Sequence, residues 1–444
     1  MKTPIADFLR EYSRAENLRF HMPGHKGRGG EISASDITEV SGADSLYEAA
    51  GIIKESESLA GEIFGATTFY STEGSSLSIR AMLYLSLVCS DKKVKKPTIL
   101  AGRNAHKTFI SAAALLGFEV EWLTGCDSSY LCAPISAKEI ADVLDEASEP
   151  PIALYLTSPD YLGNTLDIKE ISEVCHARGV LLLVDNAHGA YLKFLEKSRH
   201  PIDLGADMCT DSAHKTLPAL TGAAYLHISR ALPQIFADTA KDALALFGST
   251  SPSYLILSSL DELNALLADG FSEKLASHIE NLDEIRLSLK NDGYTLFGDE
   301  PMKITIFAKD RGYTGKELAA LLSDAKIVPE FFDKDFLVLM PTPSNTDEEL
   351  FALRDALLKV KARKRIEERA PRLSLPRRVC SIREAMLSPA ETVSLNEAVG
   401  RVLARATVSC PPAVPIAVPG EMIDENTLPV FKYYGTEKIT VIKN

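Results

Sequence analysis

The sequence predicts an α/β protein: a large domain with a mostly parallel sheet between helices, followed by a smaller α+β unit. Short continuous apolar runs alternate with amphipathic stretches from Thr98 onward, which is typical of parallel strands covered on both faces by helices. After about residue 253 this alternation gives way to a long helical stretch and then to short strand-like pieces. A chain of 444 residues is also too long to form a single simple hydrophobic core, so more than one domain is expected.

The first half of the chain predicts strands and helices in turn. Strands are expected at 98–101, 118–123, 152–157, 180–184, 207–212 and 222–228, and helices at 107–116, 136–147 and 168–178. Ser136, with Glu139 three residues later, forms a capping-box pattern, and Gly179 is a typical helix C-cap. The run VLLLV at 180–184 is the most apolar strand and should be deeply buried.

The second half predicts a different organisation. One long helical segment is expected at 253–289, strands at 303–307 and 336–339, and helices at 314–325 and 347–363. A charged, proline-containing linker follows at 363–378, and the tail contains the rigid stretch PPAVPIAVPGE. We therefore expect an N-terminal arm and large domain over 1–270, a small α+β domain over 271–365 and a C-terminal extension over 366–444.

Composition and charge argue against several classes of protein. The formal net charge of −13 argues against nucleic acid as a partner. The sequence has no apolar run long enough for a membrane span, and its start lacks the apolar core of a secretory signal. The 7 cysteines (89, 126, 132, 175, 209, 380 and 410) are scattered and include no C-x-x-C pair. Reduced thiols, no metal site and a cytoplasmic location are expected.

The motif VDNAHG places Asp185 at the end of the most apolar strand. Ligands of open α/β sheets bind beyond the carboxyl ends of the strands, and a buried carboxylate there needs a positive partner such as a protonated pyridine nitrogen. Ala187 is small enough for a flat ring to lie against it, and His188 could reach the phenolic oxygen of that ring. The alternative is an aspartate that only caps the following turn.

The motif SAHKT places Lys215 after the next strand end. Lysine is seldom buried, and burial lowers the pKa of an amine, which can then form a Schiff base. Ser212 and His214 would supply hydrogen-bond donors for a phosphate. The alternative is an ordinary lysine in a surface loop.

Three further segments are candidates for ligand contacts. STEGSS at 71–76 precedes a helical run and could bind an anion through the free N–H groups of the helix start, or could be a plain N-cap. GRNAHKT places His106 at a strand end, where it could lie on the face of a ring or have a structural role. HMPGHKGR at 21–28 could fold over a substrate or form a solvated turn.

Together these segments resemble the bacterial ornithine/lysine/arginine decarboxylases, which are pyridoxal 5′-phosphate (PLP) enzymes of the aspartate-aminotransferase fold, type I. The similar segments span nearly the whole chain: HMPGHKG, STEGSS, GRNAHKT, TSPDYLG, VDNAHG, SAHKTLPALTGAAYLH, STSPSYLILSSLD and PPAVPIAVPGE. The resemblance implies a seven-stranded sheet in the large domain and a C-terminal extension that packs near the active site.

The resemblance also implies a role for individual residues. Lys215 would hold PLP as a Schiff base, Asp185 would pair with the pyridine nitrogen, and His106 would stack on the ring. The other residues expected to bind the cofactor are Gly74, Ser75, Ser76, Ala187, His188, Ser212 and His214, with Thr250 or Ser251 reaching the phosphate of a neighbouring subunit. His25 and Glu421 would contact the substrate.

The implied reaction is decarboxylation of arginine, lysine or ornithine to the amine and CO2, as in polyamine biosynthesis, by a homodimer or a higher even-numbered oligomer. The alternatives are an aminotransferase or a carbon–carbon lyase on the same fold, or a PLP-binding protein without catalysis. Two departures stand out. Asn186 replaces the glutamate that often follows the ring-binding aspartate. About 20 residues precede His21, so the short form of Gram-positive relatives is expected rather than decamers built through an N-terminal wing domain.

Overall fold

The computed structural model describes residues 1–90, 96–125, 129–406 and 412–443. In these ranges the strands are β1 (Thr67–Ser71), β2 (Thr98–Gly102), β3 (Glu119–Leu123), β4 (Ala153–Thr157), β5 (Leu181–Asp185), β6 (Met208–Asp211), β7 (Ala224–Ile228), β8 (Leu296–Phe297), β9 (Ile304–Phe307), β10 (Phe331–Phe332), β11 (Phe336–Leu339), β12 (Ala390–Ser394) and β13 (Lys438–Ile442). The α-helices are α1 (Pro4–Arg14), α2 (Glu31–Ser35), α3 (Ile52–Phe64), α4 (Ser75–Val88), α5 (Lys107–Leu116), α6 (Ala137–Glu146), α7 (Ile168–His176), α8 (Ala213–Thr216), α9 (Gln234–Phe247), α10 (Tyr254–Leu267), α11 (Phe271–Asn291), α12 (Gly315–Asp324), α13 (Asp347–Leu358), α14 (Ile382–Leu387) and α15 (Thr427–Tyr433).

A seven-stranded sheet forms within the described residues, in the order β1-β7-β6-β5-β4-β2-β3. Strand β5 runs parallel to β6, and β2 runs parallel to β3. Strand β7 lies antiparallel to both β6 and β1. The order and directions confirm the prediction of a mostly parallel seven-stranded sheet.

Strand β5 is buried from its second residue to its end, as its apolar sequence predicts. Leu182, Leu183 and Val184 are 0% exposed, and Asp185 at the end of the strand is 3% exposed. In the parallel pair of β5 and β6, Asp185 is opposite Thr210. The segments that follow the two strands therefore begin side by side, at the carboxyl edge where α/β proteins bind ligands.

The chain divides into two compact units that do not follow chain order. One unit comprises Met1–Val94, Ile152–Tyr155 and Ile168–Leu275, and the other comprises Lys95–Pro151, Leu156–Asp167 and Ala276–Asn444. The three-domain division with boundaries at 270 and 365 stays a prediction.

In the first unit, Asp261 of α10 anchors the beginning of helix α1. Its carboxylate accepts hydrogen bonds from the backbone N–H groups of Ile5 and Ala6, at 2.8 and 2.9 Å. The hydroxyl of Ser56, on α3, donates to the same carboxylate. Burial raises the pKa of Asp261 to about 6, although these donors act in the opposite direction.

In the second unit, β8–β11 form a small antiparallel sheet in the order β10-β11-β9-β8, and β12 pairs with β13. Apolar side chains from both sheets, including Phe336, Val338, Ile439 and Val441, share one buried cluster. Capping boxes at Thr314 and Thr346 begin α12 and α13.

Several helix boundaries differ from the prediction. The segment expected to be one helix at 253–289 forms α10 and α11, because Gly270 between them takes a left-handed conformation with φ of 72°. Helix α13 ends at Leu358 rather than 363, where the side chain of Arg311 binds the Val360 carbonyl at 2.7 Å. Only one of the two hydrogen bonds of the predicted capping box at Ser136 forms. The Ser136 side chain accepts from the Glu139 N–H, but the Glu139 carboxylate accepts from the Gly125 N–H rather than from that of Ser136.

The cysteines that the structure describes are free thiols: Cys89, Cys132, Cys175, Cys209 and Cys380. Cys126 and Cys410, also expected to be reduced, lie outside the described residues, as does Pro411 at the start of PPAVPIAVPGE. Within the described ranges, no helix combines the length and apolar character required to cross a bilayer.

Candidate active site

Lys215 lies on a short helix that begins just beyond the carboxyl end of β6. Strand β6 ends at Asp211, and Ser212 is the N-cap of α8. The Nζ atom of Lys215 lies 3.1 Å from Nε2 of His188, which belongs to the turn after β5. An amine that is half-buried beside the ends of two parallel strands can act as a nucleophile toward a bound carbonyl group.

The tetrapeptide Ala-His-Lys-Thr occurs twice in this chain, at 105–108 and at 213–216. Both copies follow a strand of the large sheet and contribute to a helix start. Lys107, in the first copy, is exposed to solvent, whereas Lys215, in the second, is half-buried. The local sequence therefore does not distinguish the two lysines, but their burial does.

Asp185 is a buried carboxylate at the end of β5. It accepts a hydrogen bond from the Tyr155 hydroxyl at 2.9 Å and one from the Ala187 N–H at 3.2 Å. Burial raises the pKa of the Asp185 carboxyl, and the positive charge of Lys215 opposes this effect. A carboxylate in this setting favours a further cationic partner. The contact with Tyr155, inside the apolar strand β4, has no signal in the sequence.

Gly74, Ser75 and Ser212 lie together at the start of α4. Gly74 is the N-cap of this 14-residue helix, with φ of 71° and no side chain to cap the helix. The Ser212 hydroxyl donates to the Ser75 hydroxyl across 2.8 Å. A helix start flanked by hydroxyl groups is a setting that binds phosphate. Ser76, the next residue of α4, is also partly exposed there.

His214 lies near Gly74, since a Cβ atom added to that glycine would stand 4.0 Å from the His214 ring carbon Cε1. The Nδ1 atom of His214 lies 2.9 Å from the Ala223 carbonyl oxygen, so Nδ1 carries a proton. Burial lowers the pKa of His214. The neutral ring therefore presents an acceptor at Nε2, and only the imidazolium form could donate a hydrogen bond to a phosphate.

His106, in the second unit, is the N-cap of α5. Its Nδ1 atom accepts from the Thr108 N–H at 3.2 Å and lies 2.9 Å from the Thr108 hydroxyl. The neutral ring therefore carries its proton on Nε2, and the start of its own helix fixes its orientation. The ring is partly exposed. Its expected stacking on a cofactor stays a prediction.

Glu421 forms a buried ion pair with Arg103 in the second unit. The Arg103 guanidinium donates to the Glu421 carboxylate at 2.8 Å, and the two residues are 2% and 3% exposed. Arg103 also donates to the Ile416 carbonyl at 3.3 Å, and the Lys107 N–H donates to the Ala413 carbonyl at 2.8 Å. We call residues 412–421 the strap. Its glutamate is paired with Arg103 within the protein, and the expected contact of Glu421 with a substrate stays a prediction.

The remaining predicted residues lie in exposed or partly exposed segments of the first unit. Thr250 and Ser251 are exposed, and the N–H of the adjacent Ser249 donates to the Glu73 carboxylate at 2.6 Å. His25 is partly exposed, and its Nε2 lies 3.1 Å from the Asp36 carboxylate. The expected contacts of these residues with a neighbouring subunit or a substrate stay predictions.

A buried cluster of polar residues was not expected from the sequence. Ligand atoms of His200, Cys209 and Asp211 lie within 4.8 Å of one another, a grouping that could hold a metal ion. Both oxygens of Asp211 already accept hydrogen bonds, one from Asn186 at 2.6 Å and one from His200 at 3.0 Å. These bonds account for the cluster without an ion, so we propose no metal there.

Comparison with protein families places most of the chain in one group. Residues 3–297 match the family described as Orn/Lys/Arg decarboxylase, major domain. Residues 370–439 match the family described as Orn/Lys/Arg decarboxylase, C-terminal domain. The two matches cover the Lys215 site and the strap.

Two relatives are similar to this chain over nearly their full length, and a third only over part of it. The "Uncharacterized protein YaaO" of Bacillus subtilis is 30% identical over 463 residues, covering 96% of this chain and 93% of that protein. The "Arginine decarboxylase" of Halalkalibacterium halodurans is 30% identical over 466 residues, covering 96% of this chain and 92% of that protein. The "Biodegradative arginine decarboxylase" of Escherichia coli is 24% identical over 298 residues, which are only 39% of that longer protein.

Solved structures agree on the fold. The constitutive lysine decarboxylase of E. coli superposes with a TM-score of 0.78 at 19% identity, covering 100% of this chain and 82% of that one. The Francisella novicida lysine decarboxylase LdcF gives a TM-score of 0.81 at 18% identity, covering 99% and 81%. An alanine–glyoxylate aminotransferase from Nostoc gives a TM-score of 0.54 at 19% identity, covering 69% and 85%. These similarities confirm the type I fold of PLP-dependent enzymes.

Proposed function

We propose that this chain, which belongs to the Orn/Lys/Arg decarboxylase family, uses PLP to remove the α-carboxylate of a basic amino acid. The reaction would convert the amino acid and one proton into the amine and CO2. The contact that carries the proposal is that of Lys215 Nζ with His188 Nε2 at 3.1 Å. It brings a half-buried amine to the turn that begins at Asp185.

The residues of the first unit fit the three polar ends of PLP. Lys215 offers an amine for the aldehyde, and Asp185 offers a carboxylate whose burial favours a cationic neighbour such as the ring nitrogen. Gly74, Ser75 and Ser212 offer a helix start and hydroxyl groups for the phosphate. The fit depends on a set of residues from three separate segments of the chain.

When bound, PLP would supply an electron sink for the bond between Cα and the carboxylate. Asp185 would keep the proton on the ring nitrogen, because loss of that proton would leave the buried carboxylate without a cationic partner. Lys215 would hold the aldehyde in the resting enzyme and release it to the substrate amine. Lys215 or His188 would then deliver the proton that Cα gains when CO2 leaves.

Arginine is the first substrate to test. Four relatives that are 28–30% identical over 94–97% of this chain carry the name "Arginine decarboxylase". "Lysine decarboxylase LdcA" of Pseudomonas aeruginosa is 26% identical over 60% of this chain. We therefore propose arginine before lysine and ornithine, since full-length relatives carry more weight than partial ones.

The decisive experiment combines cofactor labelling with product analysis. The protein, purified with added PLP, should absorb visible light, and borohydride reduction should fix the cofactor on the peptide that contains Lys215. Lys215→Ala should abolish this label and lower CO2 release by about 10²–10⁴-fold. Lys107→Ala, the same change in the other Ala-His-Lys-Thr tetrapeptide, should leave both unchanged.

Assays with arginine, lysine and ornithine in parallel decide the reaction and the substrate. Release of CO2 together with the matching amine supports decarboxylation. Formation of a keto acid without CO2 would identify an aminotransferase instead. A protein that takes up no PLP, or that is labelled at Lys107, would contradict the proposed site.

We also propose that the working form is a homodimer. Several large apolar side chains near the N-terminus are exposed in the single chain, namely Leu18, Phe20, Met22 and Ile32. Exposed apolar patches of this kind favour association. Light scattering of the purified protein should give at least twice the 48.3 kDa of one chain. A mass equal to that of one chain would exclude the dimer.

A further inference from the structure

A fully buried polar cluster lies where strands β5 and β6 end. Its members are each 0% exposed: Asn186, His200, Cys209, Asp211 and His227. Asn186 directly follows Asp185, and Asp211 is the last residue of β6. Buried polar groups destabilise a fold unless they are hydrogen-bonded, so the contacts inside this cluster constrain its geometry.

Two hydrogen bonds join the turn after β5 to the end of β6. The side-chain amide of Asn186 donates to the Asp211 carboxylate at 2.6 Å. The backbone N–H of Asn186 donates to the Thr210 carbonyl at 3.0 Å. The side chain of Asn186 must present its nitrogen to Asp211, because its oxygen in that position would face a carboxylate.

Two histidines hold Asp211 in its charged form. Nε2 of His200 lies 3.0 Å from the Asp211 carboxylate, and Nε2 of His227 lies 3.3 Å from the same oxygen. Burial alone would raise the pKa of Asp211, but the two imidazoles bring it well below its ordinary value. Asp211 is therefore a fixed anion, and the hydrogen bond from Asn186 to it is charge-assisted.

We infer that Asp211 is a positioning residue, which acts through Asn186 to set the distance between Asp185 and Lys215. Asn186 lies one residue after Asp185, and Asp211 lies four residues before Lys215. The bond between them joins the two segments that would hold opposite sides of the cofactor. This inference rests on the proposed PLP site and names two residues that would not touch PLP.

The same contact gives a reason for asparagine at position 186. A glutamate or aspartate there would set a second carboxylate against the buried Asp211, and neither charge could reach solvent. An acidic residue at 186 is therefore compatible with this fold only if residue 211 is uncharged. An acidic substitution at 186 should therefore be tolerated only together with a neutral residue at 211.

The test is an exchange of groups with the same shape. Asn186→Asp alone creates the buried carboxylate pair and should raise the Kd for PLP by about 10-fold or more, because the repulsion separates the two segments that hold the cofactor. Asp211→Asn alone leaves a neutral acceptor for Asn186 and should have a smaller effect. The double variant Asn186→Asp/Asp211→Asn restores an amide–carboxylate bond and should recover Kd to within about 3-fold of the parent.

Cofactor affinity is read by titrating the apoprotein with PLP, and the circular dichroism of the bound cofactor reports its orientation. The matched control is Asn264→Asp, the same change at another asparagine that is 0% exposed. The amide of Asn264 donates to the Tyr70 hydroxyl at 2.7 Å, within the same compact unit. This variant should lose stability without a comparable change in Kd or in the dichroism.

Each outcome decides the inference. Loss of affinity in Asn186→Asp, recovery in the double variant and a normal Kd in Asn264→Asp together support it. Equal losses in Asn186→Asp and Asn264→Asp would overturn it, because instability alone would then explain the weaker binding. No loss, or no recovery in the double variant, would overturn the inference while leaving the PLP site intact. A parent protein that fails to take up PLP would overturn both proposals.

Discussion

The Nζ atom of Lys215 lies 3.1 Å from Nε2 of His188. Two cations at this distance would repel each other, so one of the two groups must be neutral when the contact forms. The pair can thus share a proton between the turn after β5 and the helix after β6.

His188→Ala should reduce kcat by about 10²-fold, because it removes a group that could transfer a proton at the reacting carbon. KM should change little, and the Kd for PLP should rise by a smaller factor than kcat falls, since Lys215 and Asp185 remain. Steady-state kinetics and PLP titration separate these effects. His176→Ala, at a half-exposed histidine that contacts Asp207, is the control and should retain kcat. A His188 variant with full kcat would exclude a proton-transfer role.

Ser212→Ala and Ser75→Ala should each weaken PLP binding by about 10-fold or more, because a hydrogen bond to a phosphate is charge-assisted. The Kd for PLP, measured by titration of the apoprotein, checks this. Ser78→Ala provides a matched control on the same helix. The Ser78 hydroxyl is buried and has no hydrogen-bond partner among the described residues, so its removal should leave Kd unchanged. Equal Kd values for all three variants would place the phosphate elsewhere.

Glu421→Ala should lower the free energy of unfolding by about 3–5 kcal/mol, because it leaves the guanidinium of Arg103 buried without its carboxylate. Urea denaturation measures the loss. The double variant Arg103→Met/Glu421→Met removes both charges and should recover much of it. Glu262→Ala, which breaks a solvent-exposed pair with Arg10, should have a far smaller effect. A Glu421 variant as stable as the parent would show that the strap does not depend on this pair.

The stability of the protein should depend on pH through Asp261. The pKa of this carboxyl is raised from 3.8 to about 6 by burial, so the folded protein binds the proton more tightly than the unfolded chain does. Its contribution to stability is complete below about pH 4 and is lost as the pH rises through about 6. Asp261→Asn does not titrate. The urea midpoint of the parent, relative to that of the variant, should therefore be higher at pH 4 than at pH 7. A constant difference would contradict this assignment.

The sequence predicts the parts of the fold whose signals are local. Helix α5 is found at Lys107–Leu116 and strand β11 at Phe336–Leu339, as predicted. Both have a clear apolar pattern with turn residues at their ends. The split between α10 and α11 could not be predicted with the same ease, because Gly270 can either continue a helix at some energetic cost or end it.

For the candidate site, the positions of Asp185 and Lys215 follow from strand ends, which the sequence reveals. Their environment does not. The contact of Tyr155 with Asp185 and that of Asp211 with Asn186 depend on which residues of neighbouring strands lie opposite each other. Apolar runs such as ALYLT indicate that a strand is buried but do not give its register. The ion pair between Glu421 and Arg103 is also a long-range contact, which the spacing of residues in the sequence cannot predict.

The separation of Arg103 from Glu421, 318 positions along the chain, has a consequence for biosynthesis. At about 5–20 residues per second, the ribosome would add Glu421 roughly 15–60 s after it has added Arg103. During that interval the turn between β2 and α5 lacks the strap that later supports it. A polypeptide released from the ribosome before residue 421 would keep this turn open, and proteases should cleave it there more readily than the finished protein.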